Sequence, residues 1–199
     1  MKKFELTNEF ITNMFGTKLF RIRALVEFGD VEAGELGGYV EKESNLGHDD
    51  NAWVYDNAWV YGNARVYGDA QVSGDARVYD NAWVYGDAQV SGNARVYGNA
   101  RVYGNAWVYG NALVCSDEDY AYAHGFGSVN RTTTFFRLKD GGVGVRCGCF
   151  YGTLAQFRDK IRETHGETKK AQEYLMLADL MELRFEEDEN EVGNRKYVE

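Results

Sequence analysis

The residues best suited to bind a ligand lie in a glycine-rich segment, residues 124–132, with the sequence HGFGSVNRT. Backbone N–H groups in such a segment can surround an anion, and hydroxyl, amide and guanidinium groups supply further donors. Two arginines on the following strands are expected nearby, because a predicted hairpin pairs those strands. The candidate ligand-binding residues are therefore Ser128, Asn130, Arg131, Thr132, Arg137 and Arg146. A nucleotide or another small anionic ligand would fit this chemistry.

The same segment also fits a tight loop that enters a β-strand. The arginines would then lie on the surface and pair with the acidic run at residues 186–191. A short GxGS string is weak evidence for a ligand site, so it does not decide between the two interpretations. Both remain open on the sequence alone, and the structural loop is favoured.

Metal binding could involve the three cysteines and two of the histidines. Cys147 and Cys149 form a Cys-x-Cys pair, which would place both sulfur atoms on the same side of a strand. Zinc sites usually combine two such spaced pairs, and the chain has no second pair. We therefore expect buried strand cysteines, with no metal and no cofactor.

The largest element that must position these residues is a repeat. Residues 51–116 read as eleven hexapeptides without an insertion: NAWVYD, NAWVYG, NARVYG, DAQVSG, DARVYD, NAWVYG, DAQVSG, NARVYG, NARVYG, NAWVYG and NALVCS. Position 1 is always Asn or Asp, position 2 Ala, position 4 Val, and position 6 Gly, Asp or a final Ser. Such strict self-similarity is typical of solenoids.

The repeat predicts a three-sided coil. Ala and Val, two positions apart, point to the same side of an extended strand, and positions 3 and 5 point to the other side. Gly, Asn and Asp at positions 6 and 1 tolerate the positive φ of a corner. Three hexapeptides close one coil of 18 residues, so eleven make about four coils. The expected fold is mainly β: a parallel β-helix, left-handed, with Ala and Val inside.

This frame, A-x-V-x-G-[ND], resembles the hexapeptide-repeat, left-handed β-helix superfamily. The upstream stretch RIRAL…FGDV…AG…GGYV at residues 21–40 is similar to uncharacterised bacterial and prophage hexapeptide-repeat proteins. The segments GS-x-NRTTTFFR and CGCF-x-GT also resemble phage and prophage proteins. The resemblance implies a homo-oligomer, since such proteins are commonly trimers. It also implies a phage or prophage origin and a host protein partner, such as a defence-system component that this chain inhibits.

The enzymes of that superfamily are acyltransferases that use a His as general base, usually beside a loop that leaves the coil. Residues 51–116 contain no His and no inserted loop. We therefore expect a non-enzymatic scaffold or binding protein, and acyl transfer is a disfavoured alternative.

Stacking at 18 residues sorts the outward side chains into three faces, two of which carry continuous tyrosine columns. Stacked aromatics can simply stabilise neighbouring coils. Alternatively, a second copy in a dimer or trimer, or the terminal domains, cover at least one face, because so much exposed aromatic surface is unusual for a monomer. The candidate interface residues are Trp53, Tyr55, Trp59, Tyr61, Trp83, Tyr85, Trp107 and Tyr109.

Three domains are expected: an N-terminal β cap at residues 1–36, the β-helix at 37–116, and an α+β domain at 117–199. Two degenerate hexapeptides precede the repeats, and Asp49 and Asp50 then shift the hexapeptide frame by two residues. In the last domain, a hairpin of residues 132–138 and 143–150 precedes two helices. A capping box at residues 153–156 begins the first, and Thr168 begins the second.

Charge and hydropathy predict the compartment and exclude some partners. The net charge of −9 disfavours nucleic acid as a partner. No apolar run is long enough to span a bilayer, and the first residues lack the apolar stretch of a signal peptide. We expect a cytoplasmic protein without a membrane partner, in the host cytoplasm if a phage encodes it.

Overall fold

The structure is a computed structural model that describes residues 2–127 and 129–186. Before the repeats it contains β1 (Phe4–Thr12), β2 (Lys18–Ala24), β3 (Leu36–Val40) and a 3-10 helix (Glu43–Asn45). The repeats form eleven two-residue strands: β4 (Trp53–Val54), β5 (Trp59–Val60), β6 (Arg65–Val66), β7 (Gln71–Val72), β8 (Arg77–Val78), β9 (Trp83–Val84), β10 (Gln89–Val90), β11 (Arg95–Val96), β12 (Arg101–Val102), β13 (Trp107–Val108) and β14 (Leu113–Val114). The remaining elements are β15 (Tyr120–Phe126), β16 (Arg131–Arg137), β17 (Val143–Cys147), β18 (Phe150–Thr153), α1 (Leu154–His165) and α2 (Lys169–Phe185).

The repeats form a parallel β-solenoid, called the rod below (residues 51–116). Every third strand pairs in parallel with equivalent residues 18 positions apart, as Val72 does with Val90. Face one consists of β4, β7, β10 and β13, face two of β5, β8, β11 and β14, and face three of β6, β9 and β12. This arrangement of about four coils confirms the predicted fold class and the assignment of side chains to faces.

The rod interior is lined along its length by the Ala and Val side chains that the repeat predicts. Each Ala at position 2 and each Val at position 4 is 0% exposed. The corners take positive φ, at 72° for Gly68 and 54° for Asp56. Because a Cβ at Gly68 would lie 2.9 Å from the backbone nitrogen of Gly86, the coils stack closely at this corner.

The chain enters the rod through the two degenerate hexapeptides. Val40 pairs in parallel with Val60, and Leu46 pairs with Val66. These partners are 20 positions apart rather than 18, which confirms the predicted two-residue shift. Strand β3 extends face two by pairing in parallel with β5, and β2 and β1 follow it as antiparallel neighbours. Phe4 of β1 joins the core of the rod.

The C-terminal unit (residues 117–186) is a four-stranded antiparallel sheet in the order β15-β16-β17-β18, with α1 and α2 packed on one side. The predicted hairpin is present as β16 and β17, but the prediction missed β15 and β18 as separate strands. The glycines at residues 125 and 127 concealed β15, whose Tyr120 and Tyr122 alternate with small residues. Gly148, at φ 59°, ends the extended run that had been predicted through residue 150.

Both helices begin where the sequence predicts. The Thr153 hydroxyl accepts a hydrogen bond from the Gln156 backbone N–H, and the Gln156 side chain accepts one from the Thr153 N–H, so the capping box is complete. Thr168 caps α2 in the same way through the Ala171 N–H. The buried stripe of α2 comprises Ala171, Tyr174, Ala178, Met181 and Phe185. Within the described part of the chain, neither helix has the length and apolar character needed to cross a bilayer.

The sheet of the C-terminal unit separates two cores. Phe135, Val145 and Cys147 face the helices. Phe136, on the opposite side, belongs to the core of the rod. The alternation of sides along a strand therefore decides which residues meet the helices and which meet the rod.

Candidate functional site

The predicted anion site does not assemble from its six residues. Arg146 lies directly opposite Thr134, whereas Arg131 and Arg137 are an odd number of positions from Thr134 and point to the helix side. The hairpin pairs these strands as expected, but the arginines lie on different sides of the sheet. The expectation that they converge is therefore wrong, because strand pairing brings backbones together without fixing a shared side.

Arg146 fastens the sheet to face one of the rod. Its guanidinium carbon lies 3.9 Å from the centre of the Trp107 ring and 5.0 Å from that of Tyr109. On the same side, the Thr134 hydroxyl accepts a hydrogen bond of 2.9 Å from the Trp107 backbone N–H. A cation over a tryptophan face is favourable when partly desolvated. These contacts give Arg146 a docking role in place of the predicted phosphate contact.

Arg137 lies at a buried junction between the rod and the C-terminal unit. It is 9% exposed, and its guanidinium carbon lies 5.4 Å from the Phe185 ring centre. Its backbone N–H donates to the Asp119 carbonyl at 2.9 Å. The Asp119 carboxylate in turn accepts hydrogen bonds from the backbone N–H groups of Cys115 and Ser116, at 2.9 and 3.0 Å. Through Asp119, Arg137 thus helps to connect the C-terminal sheet to the end of the last coil.

The other predicted ligand residues are also dispersed. Asn130 is an exposed turn residue with φ 49°. The Thr132 hydroxyl lies 3.0 Å from Nδ1 of His124, on the strand side opposite to Arg131. Ser128 lies outside the described residues. Among the five predicted residues that the structure describes, Arg131 lines a cavity.

That cavity, of about 220 Å³, lies between the sheet and the two helices. Its polar lining includes the side chains of Arg131, Lys160 and His165, and its apolar lining includes Phe157 and Ile161. The complete lining is Arg131, Cys147, Cys149, Phe150, Phe157, Lys160, Ile161, Thr164, His165 and Tyr174. Cationic groups over an aromatic floor are typical of sites that bind small anions.

Two glycines lie against side chains that line this cavity. A Cβ at Gly148 would lie 1.7 Å from Nη1 of Arg131, so the guanidinium rests directly against the glycine backbone. A Cβ at Gly127 would lie 1.9 Å from the Tyr174 ring. The Gly127 N–H also donates to the Glu173 carboxylate at 3.1 Å, which ties the β15–β16 turn to α2. Both glycines have positive φ as well, so neither tolerates a larger residue.

Sequence reasoning missed Lys160, His165 and Tyr174 as members of this site. Lys160 and His165 lie on α1, and Tyr174 belongs to the buried stripe of α2. The His165 ring packs 5.9 Å from the Tyr174 ring, centre to centre. The available signal was the position of Lys160 directly before Ile161, which is a buried apolar residue of α1.

The two neighbouring cysteines do not share one side of a strand. Cys147 ends β17 and is buried, and its sulfur accepts a hydrogen bond of 3.2 Å from the Thr133 hydroxyl. Cys149 follows the Gly148 turn and is exposed. The expected buried strand position holds for Cys147 and is wrong for Cys149, because the turn at Gly148 reverses the chain between them.

Stacked tyrosines form the two predicted columns on the rod. On face two, the Tyr61 and Tyr79 rings lie 5.1 Å apart at an angle of 3°, and Tyr79 and Tyr97 continue the column at 5.1 Å. On face three, Tyr67 and Tyr85 are 5.0 Å apart at 1°, and Tyr85 stacks on Tyr103 at 5.3 Å. Burial raises the pKa of Tyr61 and of Tyr97 from 10.0 to about 12. The column on face two therefore shields the Tyr61 and Tyr97 side chains from much of the solvent.

Face one is covered at both of its ends. Trp53 is 0% exposed because the rings of Phe4 and Phe28 pack against it, at 6.2 and 5.3 Å between centres. The N-terminal segment therefore covers this end of face one, as in the alternative in which a terminal domain buries part of a face, and Trp53 is not exposed for contact with a second copy. Tyr55 packs against the same core. At the other end, Arg146 covers Trp107, and Tyr151 lies 5.0 Å from Tyr109.

Faces two and three differ in how open they are. On face two, Trp59 is half-buried, and the guanidinium of Arg77 lies 4.1 Å above its ring. Face three carries Trp83, which is 36% exposed, and Tyr103, which is 42% exposed. Arg65 and Arg101 lie on either side of Trp83, at 6.0 and 5.5 Å from its ring centre.

Face three also contains a groove of about 360 Å³ beneath the 3-10 helix. Its lining includes Leu46, Arg65, Tyr67 and Trp83. The open face of the rod is thus both aromatic and cationic at the end nearest the N-terminal strands.

Helix α2 presents a second open apolar surface. Met176, Leu180 and Leu183 are 71%, 54% and 67% exposed, respectively. Their spacing of four and three residues places them on one side of the helix, opposite the buried stripe. We refer to these three residues as the α2 outer stripe.

The fold defines the chain as a parallel β-solenoid repeat protein with an α+β unit at the end of the solenoid. A family model described as the YdcK beta solenoid repeat matches the chain at residues 58–70, 70–86, 88–104, 94–110 and 100–116. The match is confined to the rod and supports its classification as a β-solenoid repeat. A search of the curated proteins found no match.

Proposed function

We propose that this protein is a non-enzymatic, oligomeric scaffold whose C-terminal unit binds a host protein. The observation that supports this proposal best is the attachment of the C-terminal sheet to the last coil, with the α2 outer stripe exposed in the part of the chain that the structure describes. A closed rod with a docked unit at one end holds that unit at a fixed position, and the exposed stripe offers an apolar contact surface.

Three contacts fix the unit to the rod. Arg146 stacks on Trp107, and the Thr134 hydroxyl accepts a hydrogen bond from the Trp107 N–H. The Tyr120 hydroxyl donates to the Arg101 carbonyl at 2.7 Å, on a different side of the last coil. Contacts on two faces restrict rotation of the unit about the rod axis.

The partner surface that we propose is the α2 outer stripe. A helix with three apolar side chains on its open side suits packing into a hydrophobic groove or against another helix. We propose a host origin for the partner, and a role in inhibiting a defence component, on the basis of the resemblance of residues 21–40 and of the C-terminal segments to prophage proteins. Acyl transfer remains the disfavoured alternative, and the rod places no histidine among its described side chains.

We further propose that face three is the contact between copies in a dimer or trimer. It carries Trp83 and Tyr103, which are among the exposed large hydrophobic residues of the chain. Equilibrium sedimentation tests this directly. We expect a mass of two or three times 22.5 kDa at micromolar concentration. Trp83→Glu should return the chain to the monomer, and Trp59→Glu on face two should leave the assembly intact.

Affinity capture from host lysate tests the partner surface. Wild-type protein, Leu180→Asp and the matched control Gln172→Asp, which changes an exposed residue of the same helix, serve as baits. We expect one host protein to be retained by the wild type and by Gln172→Asp but lost with Leu180→Asp. Equal recovery on all three baits would contradict the proposed surface, and so would the absence of any specific protein.

A further inference from the structure

Arg131, which lines the cavity of the C-terminal unit, has no carboxylate partner within the described part of the chain. Among residues 2–127 and 129–186, no Asp or Glu forms an ion pair with Arg131. The side chain is nevertheless half-buried. Most buried or half-buried guanidinium groups are paired, because their donors otherwise lose hydrogen bonds to water. Arg131 is therefore available for an anion that enters from solvent.

The backbone holds Arg131 in place for this purpose. Its guanidinium lies against the α-carbon of Gly148, at a distance that any side chain there would exclude. Gly148 also has φ 59°, so the turn and the guanidinium both require glycine. Such positioning limits the rotamers that Arg131 can adopt and so lowers the entropy lost when a ligand binds.

The other cavity groups complement an anion with an apolar body. Lys160 lines the cavity while its ammonium group also pairs with Glu163 at the surface, at 2.8 Å. The imidazole of His165 lies at the same opening. Phe157 and Ile161 form an apolar floor, and both are 3% exposed. The ligand class is thus defined by a negative group at one end and an apolar body at the other.

The position of α1 restricts where the negative group can lie. Thr164 and His165 belong to the last turn of α1, where the helix dipole places partial negative charge. That charge repels an anion at the α1 side of the opening. The favourable position is therefore at the sheet side, next to Arg131, with the apolar part of the ligand extending towards Phe157.

We propose that this cavity binds a small organic anion, a carboxylate or phosphate monoester on an aromatic or short aliphatic body. The volume of about 220 Å³ is below the roughly 300–1,000 Å³ of typical ligand pockets, which favours a ligand smaller than a complete nucleotide. The site is separate from the α2 outer stripe. A failure of this proposal therefore leaves the proposed scaffold function untouched.

Isothermal titration of the full chain with phenyl phosphate and with benzoate tests the site. Inorganic phosphate and benzyl alcohol represent the two halves of such a ligand. We expect both aromatic anions to bind, and each half alone to bind more weakly. Arg131→Gln should weaken binding at least about tenfold, as expected for the loss of a charge-assisted hydrogen bond. Lys160→Gln should weaken it less, because Lys160 is already paired with Glu163.

The matched control is Arg162→Gln. Arg162 lies on the same helix, its side chain is 59% exposed and paired with Asp159, and it does not line the cavity. We expect this variant to bind as tightly as the wild type. Thermal melting without ligand verifies that all three variants fold. The proposal is overturned if neither aromatic anion binds, if inorganic phosphate binds as tightly as phenyl phosphate, or if both cavity variants retain wild-type affinity.

Discussion

The rod and the C-terminal unit both have a packed core, but the two cores are built in different ways. In the rod, each coil repeats the same interior, so Val78 lies between Val60 and Val96 and every coil contacts only its neighbours. In the C-terminal unit, each buried residue has its own surroundings, and Phe135 packs against Phe157 across the sheet and α1. The first arrangement is local and periodic, whereas the second depends on which side of a sheet each residue takes. This difference predicts which substitutions are tolerated in each region.

The largest effect is expected for a charge inside the rod. Val78→Asp would bury a carboxylate at a position that is 0% exposed and surrounded by methyl groups. We expect a loss of more than about 4 kcal/mol in the free energy of unfolding, because the narrow interior offers the carboxylate no hydrogen-bond donor and no cation. Chemical denaturation followed by circular dichroism measures it. Asn93→Asp, at an exposed corner whose equivalent in the preceding coil is Asp75, is the control and should be neutral.

A smaller but more selective effect is expected for Phe135→Ala. Phe135 is 0% exposed in the core between the sheet and the helices. Its truncation should cost about 4 kcal/mol, and the cost should fall on the C-terminal unit. Hydrogen exchange is expected to show faster exchange in α1 and α2 and unchanged protection in β7–β10. Equal loss of protection in both regions would show that they unfold as one unit.

The next effect concerns a corner of the rod. Gly68 has φ 72° and lies close to Gly86 of the next coil. Gly68→Val should destabilise by about 2 kcal/mol, because a β-branched residue is strained at positive φ. Gly68→Asp should cost less, since Asp56 and Asp80 occupy equivalent corners with φ 54° and 58°. Thermal melts of the two variants provide the comparison, and the same melting temperature for both would contradict it.

The smallest effect is a change of stability with pH at the tyrosine columns. Because burial raises the pKa of Tyr61 and Tyr97 to about 12, the folded chain holds these protons more tightly than the unfolded chain, where the value is 10.0. The stabilisation of the folded chain by these two protonated phenol groups is complete below pH 10, and it is lost as the pH rises from 10 to about 12. The double variant Tyr61→Phe, Tyr97→Phe should therefore show a shallower fall in melting temperature across that range. A fall as steep as that of the wild type would exclude these phenols as its cause.

The same contrast explains how much could be predicted from the sequence. The six-residue period determines the strands, the corners and the sorting of Trp59, Trp83 and Trp107 onto three faces, because each depends only on spacing. The capping box at Thr153 was predictable for the same reason. The burial of Trp53 was not, since it depends on contacts with Phe4 and Phe28, which are distant in the chain.

The candidate site shows the limit most clearly. Arg131 was identified from its neighbours, but its partners Lys160 and His165 are remote in sequence. Arg146 was wrongly assigned to the same site, because a hairpin pattern does not reveal that Arg146 and Arg131 take opposite sides of the sheet. The side of the sheet that a residue faces and the register of the strands are tertiary properties. The turn at Gly148 also reverses the chain between the two cysteines.

The central claim is that the rod consists of interchangeable 18-residue coils that support the C-terminal unit. Deletion of residues 75–92 removes one whole coil and joins equivalent positions, whereas deletion of residues 75–89 breaks the hexapeptide frame. Denaturant unfolding of the two variants is the most direct measurement. We predict that the first variant unfolds cooperatively with nearly unchanged α1 and α2 signals, and that the second does not fold. Equal stability of both variants, or loss of folding in the first, would contradict the account.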